Sequence, residues 1–412
     1  MRLQKISNIL WGPPKKFNTD FEERKISWLE LFYDLVYVIA ISKITHHLGT
    51  HFSLSGLLDY TYFFVMIYWG WLNGSLYHDL HGSPGLRTRL MTLWQMLIVA
   101  ALVITIDSDP KNLLFNATIA VMIMQFYITY LWWSVGIYDK DHRRLNKPYT
   151  VIYLLSLALM FATLFVEQPY VRILFYITLF LNYLPPFLTH NLYLRKESIE
   201  LNLSASMSER LGLFTIIVFG EVVLGVVNGV IALHHLDGMV WLNFGLALGI
   251  VFSLWWVFFT LVSDRKCKRG FTNSSLLEIL YIPTLMALGL MSVGFGDLFE
   301  SFSHNDAHLT MIKMTFGYAL SLFLFGINLM LFLLVYPDDL STFKKKIQNV
   351  IWATLALLLA VNTLNPDVSL CVFLLIILGI IIGMILLFNR TWFDHKENYA
   401  SKYKTLNNDR LS

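Results

Sequence analysis

Long apolar segments limit what this chain can fold into more than any other feature. Twelve runs of about 20 residues stand out, and this length is what an α-helix needs to cross roughly 30 Å of hydrocarbon. The predicted spans are residues 27–48, 54–78, 88–106, 112–137, 148–166, 170–190, 209–232, 239–262, 275–297, 309–336, 347–363 and 367–389. The composition agrees, because 56% of the 412 residues are hydrophobic and only 14% are charged. We therefore predict an all-α, polytopic integral membrane protein with about twelve transmembrane helices.

The positions of the basic residues predict the orientation of these helices. When the N-terminus is placed in the cytoplasm, all but four of the 31 Lys and Arg residues fall at cytoplasmic helix ends, in cytoplasmic loops or in the tail. Cytoplasmic segments of membrane proteins carry such an excess of positive charge. Both termini are therefore expected in the cytoplasm, and no cleaved signal peptide is expected before the first helix.

Two parts of the sequence resemble each other, which suggests an internal duplication. The first predicted helix contains LFYD, ending at Asp34, and HHL follows at residues 46–48. The seventh contains VFGE, ending at Glu221, and HHL follows at residues 234–236. Because six is an even number, two halves of six helices would enter the membrane from the same side, as a 6+6 parallel internal repeat. The predicted segments are a basic N-terminal segment (1–26), a first six-helix repeat (27–200), a second six-helix repeat (201–389) and a basic tail (390–412).

Acidic side chains on the first predicted helix are the main candidates for function. At 100° per residue, Glu30, Asp34 and Tyr37 share one helix face. A charge deep in the membrane costs roughly 2.5 to 3.5 kcal/mol on insertion scales, so this face must lie against protein or water. Asp34 is predicted to line an ion or substrate pathway or to lock a conformation. Glu30 also suits a structural role, because a carboxylate near a helix start interacts favourably with the helix dipole and can pair with Arg24 or Lys25.

The seventh predicted helix carries the deepest carboxylate of the chain, Glu221. Asn228 lies seven residues further along the same face, so both are predicted to line a pathway. The alternative is a protonated or ion-paired glutamate that only joins two helices. Between them, Gly225 begins a GxxxG pattern with Gly229, which indicates close helix contact rather than a site.

Basic and aromatic residues have structural interpretations that compete with functional ones. Arg210, near the start of the seventh helix, is interpreted as an anchor at the membrane interface, with ion pairing to a buried acid as the alternative. Tryptophans near helix ends are predicted to form an interfacial belt. They are Trp69, Trp71, Trp132, Trp133, Trp255 and Trp256.

Histidines on the predicted outer side are candidate metal ligands. The four are His46, His47, His234 and His235. Imidazole groups can bind a divalent metal, but the spacings match no closed zinc motif, and polar helix ends are the favoured interpretation. The sequence contains no phosphate-binding loop, nucleophile elbow or HExxH motif. An enzyme is therefore not expected, and neither a cofactor nor a nucleic-acid partner is predicted.

Two of these stretches resemble a known family. WLELFYDLVYVIAI (Trp28 to Ile41) and ERLGLFTIIVFGE (Glu209 to Glu221) are similar to motifs of the bacterial low temperature requirement A family, and the polytopic layout matches along most of the chain. The resemblance implies a multi-pass protein of the bacterial cytoplasmic membrane that is associated with growth in the cold. One departure is the region before Glu209, which reads SASMS where many relatives would carry a histidine.

These observations lead to three hypotheses about function. The first is a transporter or ion-permeation protein that moves a small ion or solute by means of its intramembrane carboxylates. The second is a non-transporting membrane sensor or assembly factor, in which the acids are structural locks. The third is a membrane-embedded lipid-modifying enzyme with carboxylates near the cytoplasmic surface. The lipid bilayer is the expected partner in each.

Overall fold

The structure is a computed structural model. It describes residues 14–16, 25–50, 53–83, 85–108, 113–140, 143–167, 170–195, 202–233, 236–263, 265–304, 309–336, 340–364 and 368–408. These residues form twelve α-helices and no β-sheet. The helices are α1 (Trp28–Thr50), α2 (Leu54–His81), α3 (Leu86–Ser108), α4 (Leu113–Tyr138), α5 (Arg143–Thr163), α6 (Tyr170–Thr189), α7 (Ala205–Ile231), α8 (Gly238–Phe258), α9 (Phe271–His304), α10 (Leu309–Leu333), α11 (Ser341–Leu364) and α12 (Leu370–Asn408). Two π-helical turns, His190–Leu194 and Phe259–Ser263, continue α6 and α8.

Each predicted span corresponds to one of these helices, which confirms the all-helical, polytopic prediction. Within the described residues, ten helices are long and apolar enough to cross a membrane, and α1 and α2 fall outside that group. Charged residues lower the hydropathy of α1, which carries Glu30, Asp34 and Lys43. The sequence of α2 is rich in Tyr, Trp and Gly, and this helix is buried on all sides over residues 62–75. A helix that is covered all round belongs to the centre of a bundle.

Short polar side chains define several helix starts. Ser53 Oγ accepts a hydrogen bond from Gly56 N at 3.0 Å, and Asp237 Oδ1 accepts one from Val240 N at 2.8 Å. These side chains satisfy backbone N–H groups that have no partner inside the helix.

Contacts between helices divide the chain into two compact units. The first unit comprises residues 1–217 and 269–274, and the second comprises residues 218–268 and 275–412. The division falls inside α7, after the predicted boundary at residue 200.

In the first unit, α1 packs against α2 and α3, and α2 packs against α4 and α6. The helices α3 to α6 pack in sequence, each against the next. This arrangement places α2 between α1 on one side and α4 and α6 on the other.

In the second unit, the C-terminal part of α7 contacts α9 at Gly225 and Ser292. α8 packs against α12, and α10, α11 and α12 pack in sequence. α9 and α10 meet where Phe295 and Phe316 lie edge to face, with ring centroids 4.6 Å apart. The predicted close contact of the GxxxG glycines is confirmed, because a Cβ added at Gly229 would lie 3.1 Å from Gly296 Cα of α9.

Candidate functional site: a buried ion pair

Asp34 and Arg210 form an ion pair in the interior of the first unit. Asp34 is 0% exposed and Arg210 is 1% exposed. Arg210 Nε donates to Asp34 Oδ2 at 3.3 Å, and Arg210 Nη2 donates to Asp34 Oδ1. Trp71 Nε1 donates to the same Oδ1 at 2.7 Å. One carboxylate of α1 thus joins α1, α2 and α7.

The guanidinium of Arg210 also lies against aromatic rings. Its Cζ atom is 5.5 Å from the ring centroid of Tyr33 and 5.8 Å from that of Trp71, within the range of cation–π attraction. Its Nη1 atom is buried and has no hydrogen-bond partner. The structure therefore places Arg210 inside the protein as the partner of an acid, which is the alternative considered in the sequence analysis, and not in the lipid-facing or solvent-facing position of an anchor.

Glu30 lies next to the ion pair and also fixes the start of α1. Its Oε2 accepts from Ser27 N at 2.9 Å, and Ser27 Oγ accepts from Glu30 N at 3.4 Å, which is a capping box. Its Oε1 is 3.7 Å from Arg210 Nη1. Glu30 therefore has the structural role considered for it and also adds a second carboxylate near the guanidinium. Of its two predicted partners, Arg24 lies outside the described residues, and the side chain of Lys25 is exposed.

The ion pair costs free energy to bury. Removing two charges from water is expensive. Replacing a buried ion pair with well-packed apolar residues often leaves a protein equally stable or more stable. Charged side chains inside a membrane protein commonly mark ion or substrate pathways. A carboxylate in this setting can exchange a guanidinium partner for a proton or a cation, and this exchange is what the arrangement can do chemically.

The polar face of α1 continues beyond Asp34. Tyr37 is fully buried, its hydroxyl accepts from Gln95 Nε2 at 2.9 Å, and its ring centroid is 4.8 Å from that of Tyr33. Gly70 and Gly74 of α2 leave room for these groups. A Cβ at Gly74 would overlap the Tyr33 hydroxyl and lie 2.7 Å from Gln95 Nε2. The Glu30–Asp34–Tyr37 face, which was predicted to lie against protein or water, is covered by protein.

A second polar cluster lies on the other side of α2. Gln125 and Asn182 exchange two side-chain hydrogen bonds of 2.7 Å each. Trp69 Nε1 donates to the backbone carbonyl of Asn182 at 2.9 Å. This carbonyl lacks its usual helical donor because Pro186, four residues later, has no N–H. A helix-breaking residue thus exposes an acceptor that a buried indole uses.

Three tryptophans predicted for the interfacial belt are buried, so the belt prediction is wrong for them. Trp69, Trp71 and Trp132 are 1%, 0% and 4% exposed. Trp132 Nε1 donates to Asn73 Oδ1 at 3.2 Å, so each of the three indoles has a polar partner in the core. The other three, Trp133, Trp255 and Trp256, are exposed at the surface as a belt requires.

Glu221 and Asn228 lie in the second unit, on a face of α7 that is partly exposed. Glu221 is half-buried and Asn228 is exposed. The backbone carbonyl of Glu221 accepts from Ser292 Oγ at 2.9 Å. Their pathway role stays a prediction.

Two of the four histidine candidates for a metal site fall on undescribed residues. His46 is exposed and His47 is half-buried, whereas His234 and His235 lie outside the described residues. In the part of the chain that the structure covers, no three His, Cys, Asp or Glu side chains group as a metal site would require.

Tyr33, Trp71 and Gln95 are contacts of the polar face that the sequence analysis did not identify. One signal was present in the sequence: Gly70 and Gly74 form a second GxxxG pattern, which favours close helix contact. The glycines therefore could have indicated that α2 lies close to a neighbouring helix.

A bundle of long apolar helices that encloses an ion pair and polar clusters is typical of polytopic membrane proteins. Over residues 25–387 the chain matches the family described as bacterial low temperature requirement A protein (LtrA), and it belongs to that family. It is also 25% identical over 265 residues to an uncharacterized protein of Rhizobium meliloti (strain 1021). That alignment covers 62% of this chain and 63% of the relative, so the chain spans less than two thirds of the relative's length. No solved structure matches the chain.

Proposed function

We propose that this LtrA-family protein is a transporter or ion-permeation protein in which the Asp34–Arg210 pair responds to a proton or small cation. One observation supports this most directly: both charged groups are almost completely buried, within helices that are otherwise largely apolar. Stability alone gives a weak reason to keep such a pair.

The proposed mechanism follows from what holds Arg210 in place. A proton or cation bound at Asp34 cancels the negative charge that attracts the guanidinium. The hydrogen bonds from Arg210 and Trp71 to this carboxyl group then weaken, and the junction of α1, α2 and α7 is free to change its arrangement. A ligand shifts such an equilibrium only through different affinities for the two states, and the change of partner at Asp34 supplies that difference.

We propose further that the two six-helix halves are a parallel repeat, with Glu221 in the position of Asp34. Several helices in corresponding positions of the two halves have corresponding packing partners. α2 packs against α6 as α8 packs against α12, and α5 packs against α6 as α11 packs against α12. α1 also packs against α3 as α7 contacts α9. Matching partners support a duplication.

We propose the bacterial cytoplasmic membrane as the location, with both termini in the cytoplasm. In a background without Cys267 and Cys371, Lys268→Cys and Leu236→Cys place single thiols in two exposed positions. A membrane-impermeant maleimide should label Leu236→Cys in intact cells and Lys268→Cys only in inverted vesicles, because positive loops stay in the cytoplasm. Labelling of both from one side would contradict the orientation.

The transport proposal is tested by ion flux in proteoliposomes. Asp34→Asn should lower the initial rate of proton or monovalent-cation flux by about tenfold or more, a loss of roughly 1.4 kcal/mol or more. Asp59→Asn is the matched control. Asp59 pairs with Arg172 at 3.0 Å, but both side chains are more than a quarter exposed. This control should keep the rate within about twofold, because exposed pairs contribute little.

Size-exclusion chromatography must show that each reconstituted variant is folded. An unchanged rate for folded Asp34→Asn would remove this residue from the pathway. If the unmodified protein carries no flux and Asp34→Asn only lowers thermal stability, the sensor or assembly-factor hypothesis is favoured.

A further inference from the structure

A half-open cavity of about 230 Å³ lies within the second unit. It is lined by the last turns of α8, the π-helical turn that follows it, the first turns of α11 and the middle of α12. Its apolar wall includes Trp256, Phe343, Ile347, Phe388 and Trp392. Trp256 and Trp392 remain 47% and 41% exposed, and large exposed indoles beside an apolar cavity are typical of the membrane–water interface.

The polar side of this cavity carries a cation with unused hydrogen-bonding capacity. Arg265 lines the cavity, and its Nε atom is buried without a hydrogen-bond partner. Its guanidinium lies 4.7 Å from the ring centroid of Tyr336. Burial raises the pKa of the Tyr336 hydroxyl, so the hydroxyl is neutral at pH 7 and does not balance the charge of Arg265. A buried unpaired donor is costly, so an acceptor bound in the cavity would relieve this cost.

A second cation lies on the same tyrosine. Lys344 Nζ is 5.5 Å from the Tyr336 ring centroid and donates to the backbone carbonyl of Leu334 at 3.1 Å. The Tyr336 hydroxyl donates to the carbonyl of Leu261 at 2.9 Å, which holds the ring in place. Both cations therefore have defined positions next to the apolar wall.

The basic loop after α8 is also held in place. Lys268 N donates to Leu333 O, and Val335 N donates to Lys266 O, each at 2.8 Å. This short pairing of two backbone segments positions the loop that carries Arg265. The cationic part of the cavity is thus built by the fold.

We infer that this cavity binds an anionic phospholipid, with an acyl chain against the aromatic wall and the phosphate between Arg265 and Lys344. The wall supplies the apolar contacts that a hydrocarbon chain requires, and the two cations supply the charge that a phosphodiester requires. Basic pockets between membrane helices bind anionic lipid head groups in this way. The inference does not depend on the transport proposal.

The test uses the full-length, delipidated protein in detergent. Native mass spectrometry compares binding of phosphatidylglycerol and phosphatidylcholine with identical acyl chains. Phosphatidylglycerol should bind about tenfold more tightly, and Arg265→Gln should remove most of this preference, since hydrogen bonds to charged groups are worth about this factor. Ile347→Trp, which fills the cavity, should weaken binding of phosphatidylglycerol.

Lys345→Gln is the matched control, because this lysine is exposed, adjacent to Lys344 in sequence and loses the same charge. It should change the affinity by less than about twofold. Equal affinity for the two lipids, an equal effect of Lys345→Gln and Arg265→Gln, or full affinity after Ile347→Trp would each overturn the inference. Displacement of the lipid by glycerol phosphate would overturn the role of the acyl chain. If Arg265→Gln does not fold, the lipid comparison and Ile347→Trp still decide the question.

Discussion

Arg210→Gln is expected to lower the free energy of unfolding by about 3–5 kcal/mol, because it leaves Asp34 as an uncompensated buried charge. Asp34 is 0% exposed, and after the substitution its remaining hydrogen-bond donor is the neutral indole N–H of Trp71. A glutamine keeps most of the volume of the arginine side chain, so the loss reports on charge more than on packing. The measurement is unfolding of the purified protein in mixed micelles, followed by circular dichroism.

The control for this prediction is Arg172→Gln. Arg172 makes two hydrogen bonds to Asp59, at 3.0 and 3.1 Å, but its side chain is 29% exposed. Solvent screening limits such a pair to about 0–1 kcal/mol. Similar losses for Arg210→Gln and Arg172→Gln would contradict the burial argument.

The double variant Arg210→Gln/Asp34→Asn separates charge from contact. It leaves no unpaired charge, so it should recover a large part of the stability that Arg210→Gln loses. Additive losses would show that the side chains matter for packing and not as a charge pair. The double variant also provides a neutral, folded background in which the flux assay can be repeated.

The helices could be predicted from the sequence because crossing a bilayer requires a long apolar run, and each of the twelve runs is visible. Their ends could not. α5 begins at Arg143, before its predicted start at residue 148, and α12 continues to Asn408 through the polar tail. Polar residues can form the last turns of a helix as well as apolar residues can, so hydropathy does not show where a helix begins or ends.

The buried face of α1 was also predictable, because Glu30, Asp34 and Tyr37 follow helical spacing. The partner of Asp34 was not, since periodicity shows which face is covered but not which helix covers it. Arg210 is near a predicted helix start, where an interfacial anchor is the ordinary interpretation. Similarly, the sequence analysis gave Glu30 a basic partner close to it in sequence, whereas the structure places Arg210 of α7 next to it.

The tryptophans also show that the sequence does not reveal tertiary partners. Position near a predicted helix end favours an interfacial belt, and the exposed fraction agrees with this prediction for Trp133 but not for Trp71 or Trp132. A buried indole needs an acceptor, and the acceptors here are Asp34 Oδ1 and Asn73 Oδ1 from helices that are distant in sequence. Only the tertiary arrangement distinguishes the two cases.

Gly225→Ala is expected to destabilise the protein by about 1–3 kcal/mol, as overpacking does in a well-packed core. A Cβ at this position would overlap the backbone carbonyl oxygen of Ser292 and lie 2.8 Å from its carbonyl carbon. A backbone group cannot rotate away as a long side chain can, so α7 and α9 must separate. Separation would also break the hydrogen bond from Ser292 Oγ to Glu221 O.

Gly220→Ala on the same helix is the matched control. Nothing lies within 4 Å of a Cβ added there, and Gly220 is exposed. Alanine favours a helix over glycine by up to about 1 kcal/mol, so this variant should be neutral or more stable. Thermal unfolding in detergent distinguishes the two substitutions by the sign of the change. Equal changes would mean that α7 does not approach α9 closely at Gly225, and the correspondence between the α7–α9 and α1–α3 contacts would then no longer support the repeat.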